Sequence, residues 1–116
     1  MKALLALVLA SLTLSQALAD DPVVEPKDAH NYVGKTVIVR GFVGDVLAEK
    51  GNLYVNFGRP YPNHDFQAIV PAKSVATVGA DLIQNLAGNK ASIRGTVEMH
   101  ENKAEIIVTS ADQIVR

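Results

Sequence analysis

Cysteine and tryptophan are both absent from this sequence of 116 residues. The lack of cysteine excludes disulfide bonds, thiolate metal sites, cysteine nucleophiles and lipid attachment at an N-terminal cysteine. Aromatic residues make up only 5% of the chain, which argues against a carbohydrate site, because sugar rings favour large aromatic platforms. The length allows one domain with a modest hydrophobic core.

A large excess of charge is absent as well. The chain has 11 basic and 12 acidic residues, which gives a formal net charge of −1. Lys2 is the only charged residue among the first 19, so the remainder has 10 basic against 12 acidic residues and a net charge of −2. This balance argues against a strongly electrostatic nucleic-acid clamp, which is normally basic.

Residues 1–19 have the pattern of a secretory signal peptide. Lys2 provides a basic start, residues 3–14 are almost entirely apolar, and Ala17 and Ala19 are the small residues expected before a cleavage site. The apolar stretch is too short for a membrane-spanning helix, which needs about 20 residues. We therefore expect cleavage after Ala19 and a periplasmic or fully secreted protein. An uncleaved anchor or a buried N-terminal helix is the alternative.

The rest of the chain divides into a flexible lead-in at residues 20–31, with two prolines and several acidic residues, and one domain at residues 32–116. Apolar residues at helical spacing predict a helix over residues 72–87 that ends at Gly88. Five segments of the domain are rich in β-branched residues or alternate apolar with polar residues, and they predict strands. These segments are residues 36–47, 53–57, 66–70, 90–99 and 104–109.

Three strands, a helix and two strands follow one another in the OB-fold, a five-stranded Greek-key barrel with its helix between strands three and four. An internal similarity supports such a barrel. Residues 39–43, which follow Gly34, match residues 93–97, which follow Gly88, and both segments contain an Arg-Gly pair. Two strands with the same bend suit the two edges of a small closed barrel. We therefore predict an all-β fold with one helix.

On these residues the chain resembles the small exported OB-fold proteins of bacteria, which are related in shape to nucleic-acid-binding OB domains. The segment from Leu53 to Gly58, continuing through residues 60–63 to Phe66, is similar to a motif of nuclease-like OB domains. Residues 93–97 and 105–108 resemble the periplasmic bacterial OB-fold family of stress-associated proteins, although the Asp-x-x-Gly turn of that family is missing after strand two. The resemblance implies a fold and an exported location, and it implies little about the ligand.

The charged residues form no recognisable catalytic pattern. A nuclease of this fold needs clustered carboxylates to hold a cation and arginines to neutralise the phosphate. The candidates do not reproduce the Asp-Thr-x-Glu arrangement of staphylococcal-nuclease-like enzymes; they are Asp45, Glu49, Asp65, Glu98, Glu101 and Glu105, with Arg40, Arg59 and Arg94. The histidines, which are His30, His64 and His100, fit no standard metal spacing and are expected in surface turns. We predict no catalytic activity, no metal site and no cofactor, and a nuclease-like enzyme is the less favoured alternative.

Ligand binding is the better hypothesis, because OB domains bind ligands on the face of strands two and three. Tyr54 and Tyr61 are candidates for stacking on bases, and the nearby basic residues are candidates for contacts with phosphates. The full set of candidate ligand-binding residues is Arg40, Lys50, Tyr54, Asn56, Arg59, Tyr61, Asn63, His64 and Gln67. The alternative for the two tyrosines is ordinary packing on a strand. Phe42, Phe57 and Phe66 are expected in the core.

Two classes of partner follow from this site. The favoured class is single-stranded nucleic acid or a related polyanion, bound by stacking and a few cationic contacts. The second class is an envelope protein, which would make the chain a periplasmic protein-interaction or stress-adaptor module. The net charge of −2 and the few aromatic residues favour the second class. Salt dependence separates them, because phosphate contacts release counterions on binding. We expect a monomer that does not span a membrane.

Overall fold

The computed structural model of the protein describes residues 21–115, and the predicted signal peptide and its cleavage site lie outside them. Three 3₁₀ helices occupy Pro26–Tyr32, Ala72–Ser74 and Ala111–Gln113, and two α-helices occupy Val75–Val78 and Ala80–Gln84. The strands are β1 (Val23–Val24), β2 (Thr36–Glu49), β3 (Asn52–Phe57), β4 (Phe66–Val70), β5 (Lys90–Thr96), β6 (Glu98–His100), β7 (Lys103–Ile107) and β8 (Ile114–Val115). Within the described residues no helix has the length and hydropathy that crossing a membrane requires.

The strands of the described residues form one sheet in the order β6-β7-β4-β3-β2-β5-β8, with β1 beside β2. The 14-residue strand β2 is central, because its first half pairs with β5 and its second half with β3. Most pairs are antiparallel, whereas β1 with β2 and β4 with β7 are parallel. Val97 alone separates β5 from β6, so one stretch of chain pairs first with β2 and then with β7.

The core consists of alternate residues of these strands. Val39 and Val43 of β2 and Val55 and Phe57 of β3 are buried, in agreement with the period of two that a half-buried strand requires. Phe57 meets Phe66 of β4 edge to face, with the ring centroids 5.4 Å apart. Full burial of a side chain of this size stabilises the fold by about 1.5–3 kcal/mol. The two phenylalanines were both predicted in the core, and their burial confirms this.

Phe42 is 52% exposed, so its prediction as a core residue is wrong. The inward positions of β2 around it are odd-numbered, such as Val39 and Val43, and the alternation of side chains therefore turns residue 42 to the other face. In the sheet Phe42 lies opposite Lys90 of β5. The sequence-based prediction gave weight to its hydrophobicity and too little to its position in the strand.

The structure confirms a mainly β fold with a helical segment between β4 and β5, and it differs from the prediction in two details. Gly79 has a φ of 108°, which only glycine adopts readily, and it divides the predicted helix into the two short α-helices. The sheet is open and contains eight strands, where a five-stranded barrel was predicted. β8 is added at the edge beside β5, β1 is added beside β2, and Val97 divides the fourth predicted strand.

The predicted flexible lead-in, residues 20–31, contains regular structure over the part that the structure describes. β1 pairs with β2, and Pro26 begins a 3₁₀ helix in which Ala29 is fully buried. Proline suits the start of a helix, because its φ is already helical and the N–H it lacks would have no partner there. Asp21 and Arg94 form an ion pair, with Oδ2 and Nε 2.6 Å apart. These contacts attach the segment to β2 and β5.

Candidate ligand-binding groove

A groove of about 590 Å³ crosses the face of β3 and β4 that points away from the core, and it reaches the turn between β6 and β7. This is the face on which the sequence predicts ligand binding. The lining residues come from five strands, from that turn and from the loop after β3. They are Leu47, Ala48, Glu49, Tyr54, Asn56, Tyr61, Gln67, Ile69, His100, Glu101 and Glu105.

A row of polar side chains crosses four neighbouring strands. Asp45 of β2 lies opposite Asn56 of β3, Asn56 lies opposite Gln67 of β4, and Gln67 lies opposite Glu105 of β7. Asn56 Nδ2 donates a hydrogen bond to Asp45 Oδ1 (2.8 Å), and Gln67 Nε2 donates to Asn56 Oδ1 (2.8 Å). We call these four residues the polar row. Asn56 is 0% exposed, so this candidate ligand-binding residue is on the expected face but covered by its neighbours.

Glu105 ends the polar row without a partner. It is only 7% exposed, and within residues 21–115 its carboxylate has no hydrogen bond and no ion pair. Burial, which disfavours the charged form, raises the pKa of Glu105; Glu98 and Glu101 raise it further, and His100 opposes them. A buried carboxylate is normally paired, because removing it from water is costly. The unpaired acid therefore stands out among the side chains that line the groove.

One wall of the groove is the loop of residues 59–64, which connects β3 to β4 and contains two prolines. Tyr61 is 60% exposed there, and its backbone N–H points at the Asp45 carboxylate, 3.3 Å from Oδ2. Its ring stacks on that of His64, with the centroids 5.6 Å apart and the planes inclined by 20°. Gly44 of β2 lies so close to this loop that a Cβ atom there would be 2.6 Å from the carbonyl carbon of Arg59.

His64 is buried behind Tyr61, so its prediction as a surface-turn histidine is wrong. It is 4% exposed, and its Nδ1 has no hydrogen-bond partner within the described residues. Lys103 Nζ donates a hydrogen bond to the His64 carbonyl oxygen (2.5 Å), which connects the loop to β7. Burial lowers the pKa of His64, and the charge of Lys103 lowers it further. A neutral imidazole therefore supports the exposed tyrosine ring.

The predicted cationic contacts do not line the groove. Arg40 lies on the part of β2 that pairs with β5, where its Nε donates to Ser92 Oγ (2.8 Å). Lys50 is in the turn after β2, and Arg59 and Asn63 are exposed in the loop without reaching the lining. Of the nine predicted residues, the groove brings together Tyr54, Asn56, Tyr61 and Gln67.

Acidic residues line the groove in place of basic ones. Glu49, Glu101 and Glu105 contribute carboxylates and His100 contributes an imidazole, and no lysine or arginine among the described residues joins them. Nowhere in residues 21–115 do three such groups come close enough to hold a metal ion. From the sequence, these acids are candidates only for nuclease ligands. The pairing of β7 with β4, which carries Glu105 to the groove, has no local signal in the sequence.

The sequence matches no protein-family model and no curated protein. Solved structures are similar at low identity. One is the asparaginyl-tRNA synthetase of Pyrococcus horikoshii, with a TM-score of 0.55 and 17% identity over 80% of this chain and 23% of the synthetase. Another is the Stn1–Ten1 complex of S. pombe, with a TM-score of 0.51 and 12% identity over 65% of this chain and 54% of that one. A third is an OBody bound to hen egg-white lysozyme, with a TM-score of 0.51 and 15% identity over 72% of this chain and 84% of the OBody.

These similarities define the class of fold. The neighbours are OB-fold proteins, and the mainly β architecture with a helical segment between β4 and β5 agrees with them. The chain spans less than a quarter of the length of the synthetase, 23%. At such identities the likeness concerns the fold, and a fold alone does not identify a ligand.

Proposed function

We propose that this chain is an exported, non-catalytic OB-fold binding module that takes its ligand in the groove. The observation that carries the proposal is the groove itself, which has a hydrogen-bonding floor and aromatic walls on the face where OB domains bind ligands. Tyr54 and Tyr61 provide the aromatic surface, and the Gln67 amide faces the groove between them and Glu105.

The charges in the groove favour a partner protein as its ligand. Three carboxylates line it, and like charges about 4 Å apart repel by about 1 kcal/mol in water and by more near a protein surface. A phosphate chain inside the groove would meet this repulsion, whereas basic side chains of a partner would be attracted. The OBody neighbour binds lysozyme, so a domain of this fold has a protein partner in that complex.

Single-stranded nucleic acid is the second candidate, and the exposure of Tyr61 favours it. Stacking of a base on an aromatic ring is worth about 1–3 kcal/mol. The phosphates would then follow Lys50 and Arg59, which lie beside the groove and not in it. The similarity to a tRNA synthetase supports this class through the fold.

A photo-crosslinking amino acid placed at Tyr61 tests the proposed site. Phe42 is the matched control position, because it is exposed to a similar degree and does not line the groove. We expect crosslinked adducts in the producing cell from position 61 and few from position 42. Digestion of the adduct with protease or nuclease identifies the class of ligand. Equal adducts from both positions, or none from position 61, would contradict the proposal.

Fluorescence anisotropy with labelled single-stranded oligonucleotides tests the second candidate directly. If nucleic acid is the ligand, binding weakens as salt rises and decreases in Tyr61→Ala and Arg59→Ala, because stacking and phosphate contacts are both lost. Lys35→Ala, which removes an exposed charge elsewhere, is the control for Arg59→Ala. Absence of binding at low salt excludes this class.

A further inference from the structure

Glu105 is a buried acid that the fold leaves without a partner. Its side chain is only 7% exposed, it lines the groove, and within residues 21–115 no hydrogen bond or ion pair reaches its carboxylate. Every other member of the polar row has a hydrogen-bond partner within the row. Within the described residues His64 Nδ1 is the only fully enclosed side-chain N or O atom without a partner, so the Glu105 oxygens are not fully enclosed and face the opening of the groove. The missing partner can therefore be supplied from outside the chain, through the opening of the groove.

The surroundings of Glu105 define the charge of that partner. Glu49 and Glu101 line the same groove, and Glu98 lies directly opposite Glu105 on β6. His100 also lines the groove, with its Nε2 atom 3.8 Å from Glu101 Oε1, and one imidazole balances only part of this acidic charge. No lysine or arginine of the described residues lines the groove to balance these acids. A metal ion would need several of these ligands close together, and no group of three in the described residues meets that condition. With no such cluster among the described residues, an organic cation is the ligand that these acids favour.

The remaining walls are apolar or aromatic. Leu47 of β2 and Ile69 of β4 line the groove together with the rings of Tyr54 and Tyr61. A long side chain such as that of arginine or lysine packs its methylene groups on surfaces of this kind and keeps its charge at the end. Aromatic rings also attract a cation that lies over their face.

We propose that the groove binds the positively charged side chain of an arginine or lysine in a partner peptide, with the Glu105 carboxylate as its counter-ion. The apolar stem lies along Leu47 and Ile69, and the exposed Tyr61 ring covers the cation from the side of the loop. This inference rests on the proposed function, because it assigns the chemistry of the ligand in the same groove. An acidic groove also agrees with the positions of the basic residues that were predicted to bind phosphates, because Arg40, Lys50 and Arg59 all lie outside the groove.

Titration by NMR with short capped peptides tests the assignment. The probe is tri-arginine, and tri-citrulline is its neutral isostere with the same shape. We expect tri-arginine to shift the amide signals of β3, β4 and β7 and to bind at least about tenfold more tightly than tri-citrulline, a difference of about 1.4 kcal/mol. Glu105→Gln should weaken tri-arginine binding about tenfold. Asp81→Asn is the matched control, because it removes one exposed acid outside the groove and should have no effect.

The outcomes distinguish this inference from the proposed function. If the groove signals shift equally with tri-arginine and tri-citrulline, or if Glu105→Gln binds as tightly as the natural sequence, the cation assignment is overturned and the groove remains a binding site. If spermidine, a free polyamine, binds more tightly than tri-arginine, the ligand is a free polyamine, and the assignment of the cation to a partner peptide is wrong. If neither peptide, spermidine nor an oligonucleotide shifts the groove signals, the proposed function itself fails.

Discussion

Gly44 allows the loop that carries Tyr61 to pack on β2, and Gly44→Ala is expected to disrupt this packing. A Cβ atom at residue 44 would lie 2.6 Å from the carbonyl carbon of Arg59 and 2.7 Å from the nitrogen of Pro60. Real Cβ atoms do not approach backbone atoms so closely, so the loop has to move. Overpacking of this kind costs about 1–3 kcal/mol. Alanine also restricts the unfolded chain, which offsets about 0.4–1 kcal/mol of that cost.

The net loss is therefore between about 0 and 2.6 kcal/mol, with a midpoint of about 1.3 kcal/mol. For a domain of this size each kcal/mol lowers the melting temperature by about 4–8 °C. Thermal unfolding followed by circular dichroism measures the loss. A second measurement, the amide NMR shifts of residues 59–64, reports whether the loop has moved. Both changes are expected together, because one contact causes them.

Gly41→Ala is the matched control in the same strand. A Cβ atom at residue 41 would lie 2.5 Å from Cγ of Pro26, so this substitution disturbs the 3₁₀ helix near the N-terminus and leaves the groove loop in place. We expect a lower melting temperature with unchanged signals for Tyr61. If Gly44→Ala keeps the natural melting temperature and the natural Tyr61 signals, the close approach of loop and strand does not exist and the reasoning fails.

Three further substitutions test the groove and its support. Asn56→Ala leaves Gln67 Nε2 without its acceptor and removes the side-chain donor to Asp45, and it should lower the free energy of unfolding in urea by about 1–3 kcal/mol, whereas the exposed Asn63→Ala should change it by less than about 0.5 kcal/mol. Because burial raises the pKa of Glu105 in the native state, ionisation above that pKa destabilises the fold; Glu105→Gln should therefore raise the melting temperature at pH 7, and the gain should disappear in acid. An unchanged or lower value at pH 7 would contradict the buried charge. Because burial lowers the pKa of His64 below 6.5, the unfolded chain takes up a proton first and stability falls on acidification below about pH 6.5. His64→Phe keeps the ring stack and should flatten this pH dependence, and an unaltered profile would show that another group causes it.

Local patterns in the sequence predicted much of the fold and of one wall of the groove. The alternation of Leu53 to Phe57 identified β3 and placed Tyr54 away from the core, since strand periodicity depends only on neighbouring residues. The two prolines around Tyr61 are typical of an irregular loop, and this too is a local signal. These features require no knowledge of which strands pair.

The other wall depends on pairing between distant segments, and the sequence has no local signal for it. Glu105 faces the groove because β7 pairs in parallel with β4, in a register that places Gln67 beside it. The burial of His64 depends on Tyr61 and on Lys103 of β7. The positions of the basic residues could not be predicted for the same reason. Arg40, for example, lies on the part of β2 that pairs with β5 and not on the part that borders the groove.

One wall of the groove consists of strands that are adjacent in the sequence, and the other wall contains a strand that is distant in the sequence. This difference affects the order in which the walls form. β2, β3 and β4 follow one another along the chain and pair in sequence, so they close only short loops. β7 joins β4 across the whole helical segment and β5, and contacts between such distant segments form late. The wall with Tyr54 can therefore assemble before Glu105 reaches it. A ligand that contacts both walls holds the late segment in place, and hydrogen exchange of β7 should slow when the groove is occupied.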